Sequence, residues 1–333
     1  MNQIAPVVNQ LGQTANNIAT EHIFEDYTSR RSQQTRRTQA AALSLWSDYL
    51  DHVSFPAGTA SAYQSDPAAW QGITWGLVTG FVRWMLQRGY SINSINNRLS
   101  VVKTYANLAA RAGVIPITEH AMIREVSGYS RAEAQRLDET RPQTRMGRKK
   151  AGAIVLTGEQ AALIKAAHPA TPQGIRDRLL AALLLDLGLR AGEAAALRVA
   201  DFSEPGFVTV YRPKTDTVDK MELTMDLMQA LADYAAYAPQ DGRMLRGSRK
   251  DGRLTNDGLS ARAINARVRL WGRDIVGVKS LSPHDLRHTW ATRAAKNSSI
   301  FALRDAGGWS NMQTPGRYVE RSQVVNEGIQ LDY

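Results

Sequence analysis

Between Asp138 and Ala153 the chain reads DETRPQTRMGRKKAGA, sixteen residues with no apolar period and with Arg141, Arg145, Arg148, Lys149 and Lys150 crowded together. Like charges at that density repel one another and offer nothing to bury, so no core can run through the segment. It reads as a cationic linker over 138–153, and the chain must fold as two bodies on either side of it. At 333 residues, each body is long enough to bury a core of its own.

Both flanks carry helical period. In TRRTQAAALSLWSDYLDHV, Ala42, Leu45, Trp46 and Tyr49 form one apolar stripe; in ITWGLVTGFVRWMLQRGY, Leu77, Phe81, Trp84 and Met85 repeat it before Gly89. SINSINNRLSVVKTYANLAARAG places Ile92, Ile95, Leu99, Val102 and Leu108 on one side, with Gly113 past the end. Beyond the linker, Thr157 with Gln160 three residues on is a capping box, and GIRDRLLAALLLDLGLR predicts a buried helix that halts at Gly188. The period then changes. GFVTVYRPKTDTVDKMELT alternates through Phe207, Val208, Val210 and Tyr211, then Met221 and Leu223, which predicts a β-hairpin with Lys214 at its tip. From Ser260 onward the pattern is helical again. The expected fold is mainly α: a polar arm over 1–19, an all-α domain over 20–137, and after the linker an α+β domain over 154–321 with a small antiparallel sheet. An amphipathic tail follows over 322–333.

Forty-one Lys and Arg against thirty-one Asp and Glu favour a polyanionic partner. The clusters are rich in arginine, which grips phosphate bidentately; Arg243, Arg246, Arg249, Lys250 and Arg253 form a second one. Nucleic acid is the favoured reading over a merely soluble basic surface. Asn97, Arg98 and Lys103, opposite the apolar side of their helix, are candidates to meet bases and phosphates, as are Arg145, Arg148, Lys149 and Lys150 in the linker. A solvated helix face accounts for any single one of them equally well. With no cysteine, disulfides, thiolate nucleophiles and cysteine metal sites are excluded, and a reducing cytoplasm is the expected location. The first residues lack the basic and apolar regions of a secretion leader, and no run of about 18 apolar residues appears.

The stretch SPHDLRHTWAT carries two of the six histidines four residues apart. Ser282 suits an N-cap, Pro283 the first helical position, and Asp285 complements the helix dipole. His284 and Arg287 then fall within the first turns at i and i+3, where free N–H groups already favour an anion. That is a phosphate pocket built from local geometry. His284 and His288 also have the spacing of a zinc pair, but Asp follows the first His where a protease of that type needs Glu, and no third ligand can be named. A metal is not expected, and His288 reads as a packing residue or one supporting the site from behind.

HDLRHTWAT matches the His-x-x-Arg box of the tyrosine recombinase (phage integrase) family of site-specific DNA recombinases. LLLDLGLRAGEAAALRVADF resembles that family's first arginine box, with Arg190 and then Glu193. AGGWSNMQTPGRYV resembles the last, with Trp309 nine residues before Tyr318. Lys214 in RPKTDT matches the family's hairpin lysine. The resemblance covers roughly residues 155–320 in the family's order, and departs from it at Ala194 and Ala195, where larger apolar residues are usual. The N-terminal domain resembles the family's core-binding domain by pattern only.

The resemblance implies a two-domain, C-shaped clamp on double-stranded DNA and a metal-free, cofactor-free reaction. Tyr318 would be the nucleophile, Arg190, Arg287, His284 and Trp309 the phosphate contacts, with His284 also a candidate for proton transfer, Lys214 the leaving-group acid, and Glu193 the support of Arg190. It further implies a homotetramer on paired sites with inverted-repeat arms, a tail that exchanges between subunits, and a bacterial, archaeal or phage-encoded protein at the nucleoid. Three other readings stay open: a type IB topoisomerase with the same tyrosine chemistry, a DNA-binding regulator without catalysis, and a metal-dependent nuclease built on His284 and His288. Target site, direction of recombination and accessory proteins are not legible.

Overall fold

The computed structural model describes residues 4–141 and 152–322. The chain divides into two compact units, 1–149 and 150–333. Among the described residues no helix is long and apolar enough to cross a membrane.

The first unit is helical throughout: α1 (Ile4–Glu21), α2 (Ile23–Ser29), α3 (Gln33–His52), α4 (Ala60–Ser65), α5 (Trp75–Gln87), α6 (Ile92–Arg111), α7 (Ile117–Glu125) and α8 (Arg131–Thr140). Hydroxyls start many of them. Ser32, Thr59, Thr74, Ser91 and Ser130 each accept the N–H three residues on, satisfying a donor the helix cannot use itself. The apolar stripes meet in an aromatic core, where Trp70 lies parallel to both Trp46 and Tyr105 with centroids 6.3 Å apart in each pair. Phe81 meets Trp46 edge-on at 5.2 Å, and all four rings are fully buried. Ile92, Ile95, Leu99, Val102 and Leu108 are buried as their spacing predicts.

Two expectations about segment ends differ from the fold. Where a polar arm is expected, α1 forms; Ile4, Val7, Val8, Leu11 and Ile18 recur at helical spacing among the Asn and Gln that suggest a loop. The linker, expected from 138, begins later because α8 carries Asp138, Glu139 and Thr140, started by the capping box of Ser130 and Glu133.

The second unit begins with α9 (Gly158–Ala166), α10 (Pro172–Asp186) and α11 (Ala191–Ala196), followed by strands β1 (Phe207–Arg212) and β2 (Thr217–Glu222). Then come α12 (Met225–Tyr234), β3 (Arg246–Ser248), β4 (Leu254–Gly258), α13 (Ala261–Asp274), α14 (Pro283–Ala294), α15 (Ile300–Gly307) and α16 (Gln313–Ser322). Leu179, Leu180, Leu183 and Leu184 of α10 are fully buried, the pattern of a helix surrounded by others. β1 and β2 pair antiparallel from Phe207 with Glu222 to Arg212 with Thr217, and Val208, Val210 and Arg212 alternate inward. A second hairpin, β3–β4, is absent from the sequence reading. It spans much of the second arginine cluster and turns part of it inward: Arg246 donates to the carbonyls of Thr255 at 2.7 Å and Tyr237 at 3.2 Å. Arg243 likewise donates to the carbonyl of Ala195.

Candidate active site

The start of α14 is held from a distance. The buried Asp285 carboxylate accepts the Ser282 N–H at 2.8 Å and the Ile154 N–H at 2.9 Å, tying the entry to this unit onto the helix. One turn on, Thr289 accepts the Leu156 N–H at 3.0 Å. His284 and Arg287 part company here: Arg287 is buried at 3% exposure, whereas His284 is exposed.

Arg287 donates from Nη1 to the Gly188 carbonyl at 2.6 Å and from Nη2 to that of Gly307. Arg190, at the start of α11, reaches the Gly308 carbonyl at 3.4 Å, and Arg212, fully buried on β1, donates to that of Ala306 at 2.8 Å. Three arginines remote in sequence thus converge on three consecutive carbonyls at the C-terminus of α15. Those carbonyls lack helical partners and carry the negative end of the dipole, which is why cations collect there. Two carboxylates supply counter-charge: Glu193, 4% exposed, pairs with the Arg190 guanidinium, accepts the Arg190 N–H at 2.8 Å and lies 3.3 Å from Arg212, and Asp219 on β2 also pairs with Arg212.

The cluster still leaves positive charge concentrated. Burial, then the neighbouring Arg190, pushes the Arg287 pKa down from 12.5 to about 10; Arg212 acts the same way, while Glu193 and Tyr318 oppose. Arg287 remains charged at neutral pH, in a place that favours an added anion.

Tyr318, on α16, is 7% exposed, and its ring stacks on Trp309 with centroids 5.9 Å apart. Trp309 in turn lies under the Arg287 guanidinium, 4.7 Å from ring centre to carbon. The Tyr318 hydroxyl is 2.6 Å from His288 Nδ1, and His288 Nε2 is 3.0 Å from His284 Nε2. His288 thus touches the tyrosine oxygen directly, and the i, i+4 spacing sets its ring edge-on against His284 on α14, the helix that meets α16. Among the described residues no group of three His, Asp or Glu is placed to hold a metal ion.

The structure brings together Arg190, Glu193, Arg287, His288, His284, Trp309 and Tyr318. Lys214 stands apart, exposed in the turn between β1 and β2. In the first unit Asn97 is exposed, Arg98 lies over the Tyr90 ring at 4.7 Å, and Lys103 donates to the carbonyls of Arg124 at 2.6 Å and Val126 at 2.9 Å. Lys103 therefore acts as a brace between α6 and the C-terminal end of α7. Arg145, Arg148, Lys149, Lys150 and the tail from 323 lie outside the described residues. Arg212 is the residue that sequence reasoning missed. Its signal was present: in FVTVYR an arginine occupies the inward period of a half-buried strand.

A sequence model of the phage integrase family matches residues 155–323, half of the chain. The chain is 26% identical over 298 residues to the tyrosine recombinase XerC of Xanthomonas campestris pv. campestris, covering 84% of each. To the tyrosine recombinase XerA of Pyrococcus furiosus it is 25% identical over 241 residues, covering 72% of this chain and 73% of that one. Among solved structures, a lambda integrase dimer bound to a COC′ core site superposes with a TM-score of 0.59 at 15% identity, over 98% of this chain and 83% of that one. The Tn1549 transposon integrase in complex with a circular intermediate DNA gives 0.55 at 16% identity, over 83% and 94%. At those identities the structures speak for the fold alone, a mostly helical protein with small antiparallel sheets. The matched segment contains every member of the cluster just described, and the chain belongs to the phage integrase family, the tyrosine recombinases.

Proposed function

We propose that this tyrosine recombinase cuts and rejoins DNA at specific sites through a covalent link between Tyr318 and a 3′-phosphate. One observation carries the reading: the Tyr318 hydroxyl lies beside a buried concentration of arginine charge, on the Trp309 ring that Arg287 covers. A phosphodiester under attack gathers negative charge on its nonbridging oxygens, and fixed donors must meet it. A guanidinium offers five N–H groups, and the carbonyl bonds of Arg190 and Arg287 use only some of them.

Tyr318 Oη bonds to phosphorus as the bond to the 5′-oxygen breaks. A phenol with an ordinary pKa of about 10 attacks poorly until nearby cations favour its phenolate. Lys214, on its exposed turn, reaches the 5′-oxygen once DNA is bound and supplies its proton. The phosphotyrosyl link conserves the bond energy, so a second 5′-hydroxyl can reverse the step without metal or high-energy cofactor. The DNA is double-stranded with inverted-repeat arms, read by the first unit and contacted by the basic linker. Four copies act on two sites, with the C-terminal tail passing to a neighbour.

The test uses nicked duplexes carrying the inverted repeats that flank the gene, incubated with protein in EDTA and resolved under denaturing conditions. Wild type gives a protein–DNA adduct and Tyr318→Phe gives none. Absence of adduct from wild type on flanking DNA and on a random duplex pool sinks the reading, and an adduct that needs a divalent cation overturns the metal-free part of it.

A further inference from the structure

We infer that His288 is the catalytic base for Tyr318, and that His284 is the outlet through which the proton reaches solvent. The inference rests on the recombinase reading and adds residues to its chemistry. Three groups form an unbroken chain: Tyr318 Oη, 2.6 Å from His288 Nδ1, and His288 Nε2, 3.0 Å from His284 Nε2. Both distances are those of hydrogen bonds, and a proton acceptor must stand within that reach of the proton it takes.

The order of donors follows from elementary bookkeeping. A tyrosine hydroxyl that donates to Nδ1 requires His288 to carry its proton on Nε2, and that N–H then donates to an unprotonated His284 Nε2. When Tyr318 Oη bonds to phosphorus, its proton moves to His288 Nδ1. The Nε2 proton of His288 moves to His284, which becomes an imidazolium with both nitrogens protonated. His288 ends neutral, so no net charge is left in its half-buried position. The charge appears on His284, which is exposed where its partner is half-buried. Religation runs the chain backwards and returns the proton to the tyrosine.

The surroundings favour this direction. Arg287 and Tyr318 interact electrostatically, so the guanidinium stabilises the phenolate. The leaving 5′-oxygen needs a separate acid, which keeps the roles of His288 and Lys214 distinct.

Single-turnover adduct formation on the nicked duplex reads the inference. His288→Ala lowers the rate about 10²- to 10⁴-fold, the usual worth of a positioned base, and added imidazole restores part of it. His288→Gln, which keeps a side chain able to hydrogen-bond, stays slow. A 5′-bridging phosphorothiolate, whose sulfur leaves without an acid, rescues Lys214→Ala and does not rescue His288→Ala. Rates of His288→Ala equal to or above wild type, or rescue by the sulfur substrate, overturn the inference while leaving Tyr318 as nucleophile. Failure of wild type itself sinks the recombinase reading and this one with it. A DNA-free arm stands alone: nitrogen NMR of 15N-histidine protein, assigned with His288→Gln, shows His288 protonated on Nε2, and protonation on Nδ1 overturns the relay.

Discussion

Gly188→Ala tests how the active site is packed. Gly188 follows α10 with φ +60°, and its carbonyl accepts from Arg287 at 2.6 Å. A Cβ on that backbone falls closer than 3.0 Å to the Trp290 indole, nearer than real Cβ atoms approach. Left-handed backbone costs alanine about 1–2 kcal/mol, and forcing a methyl into packed surroundings costs about 1–3 kcal/mol more. Gly188→Ala is therefore expected to lose about 2–5 kcal/mol, a large share of a domain's usual margin of about 5–15 kcal/mol. Gly206→Ala is the matched control in the same unit: φ is +80°, and nothing lies within 4 Å of the added carbon. It carries the backbone cost alone. Urea unfolding followed by hydrogen exchange of peptides from α10 confines the readout to this unit. At a denaturant slope of about 2 kcal/mol per molar, the two variants separate by about 0.5–1.5 M in midpoint. Coincident midpoints would refute the packing argument, and with it the claim that Gly188 is held against Trp290 to present its carbonyl to Arg287.

Two further outcomes follow from the charge arrangement. Glu193→Ala leaves Arg190, Arg212 and Arg287 without their most deeply buried counter-charge, with Asp219 still paired to Arg212, and should cost about 3–5 kcal/mol in thermal or urea unfolding; a loss below about 1 kcal/mol would show that Asp219 and the α15 carbonyls suffice to compensate the cluster. Duplex DNA affinity, measured by anisotropy, should fall steeply with salt as neutralised phosphates release counterions; a log–log slope shallower than about −2 would mean too few phosphate contacts for DNA to be the main partner.

Much of the fold was legible because its causes are local. Helical stripes such as Ile92 to Leu108, Ser and Thr caps, the stop at Gly188 and the alternation through Val208 and Val210 each depend on neighbours within a few residues. The β3–β4 hairpin was missed because its strands are three and five residues long and mostly polar. The first helix was missed for the opposite reason: its Asn and Gln looked like loop, and its apolar period runs thinly among them.

The site divides along the same line. Residue types and their order pointed to Arg190, His284, Arg287, Trp309 and Tyr318 as partners. Order in sequence carries no distances, so the neighbour of the tyrosine oxygen, His288, was read as support. Nor could it show that Arg190, Arg212 and Arg287 meet at the carbonyls of residues 306–308, a convergence that includes a contact across 118 positions. A backbone carbonyl is the same group in every residue and leaves no letter in the sequence. Only the packing of α15 against the rest of the unit turns three of them toward the same charges.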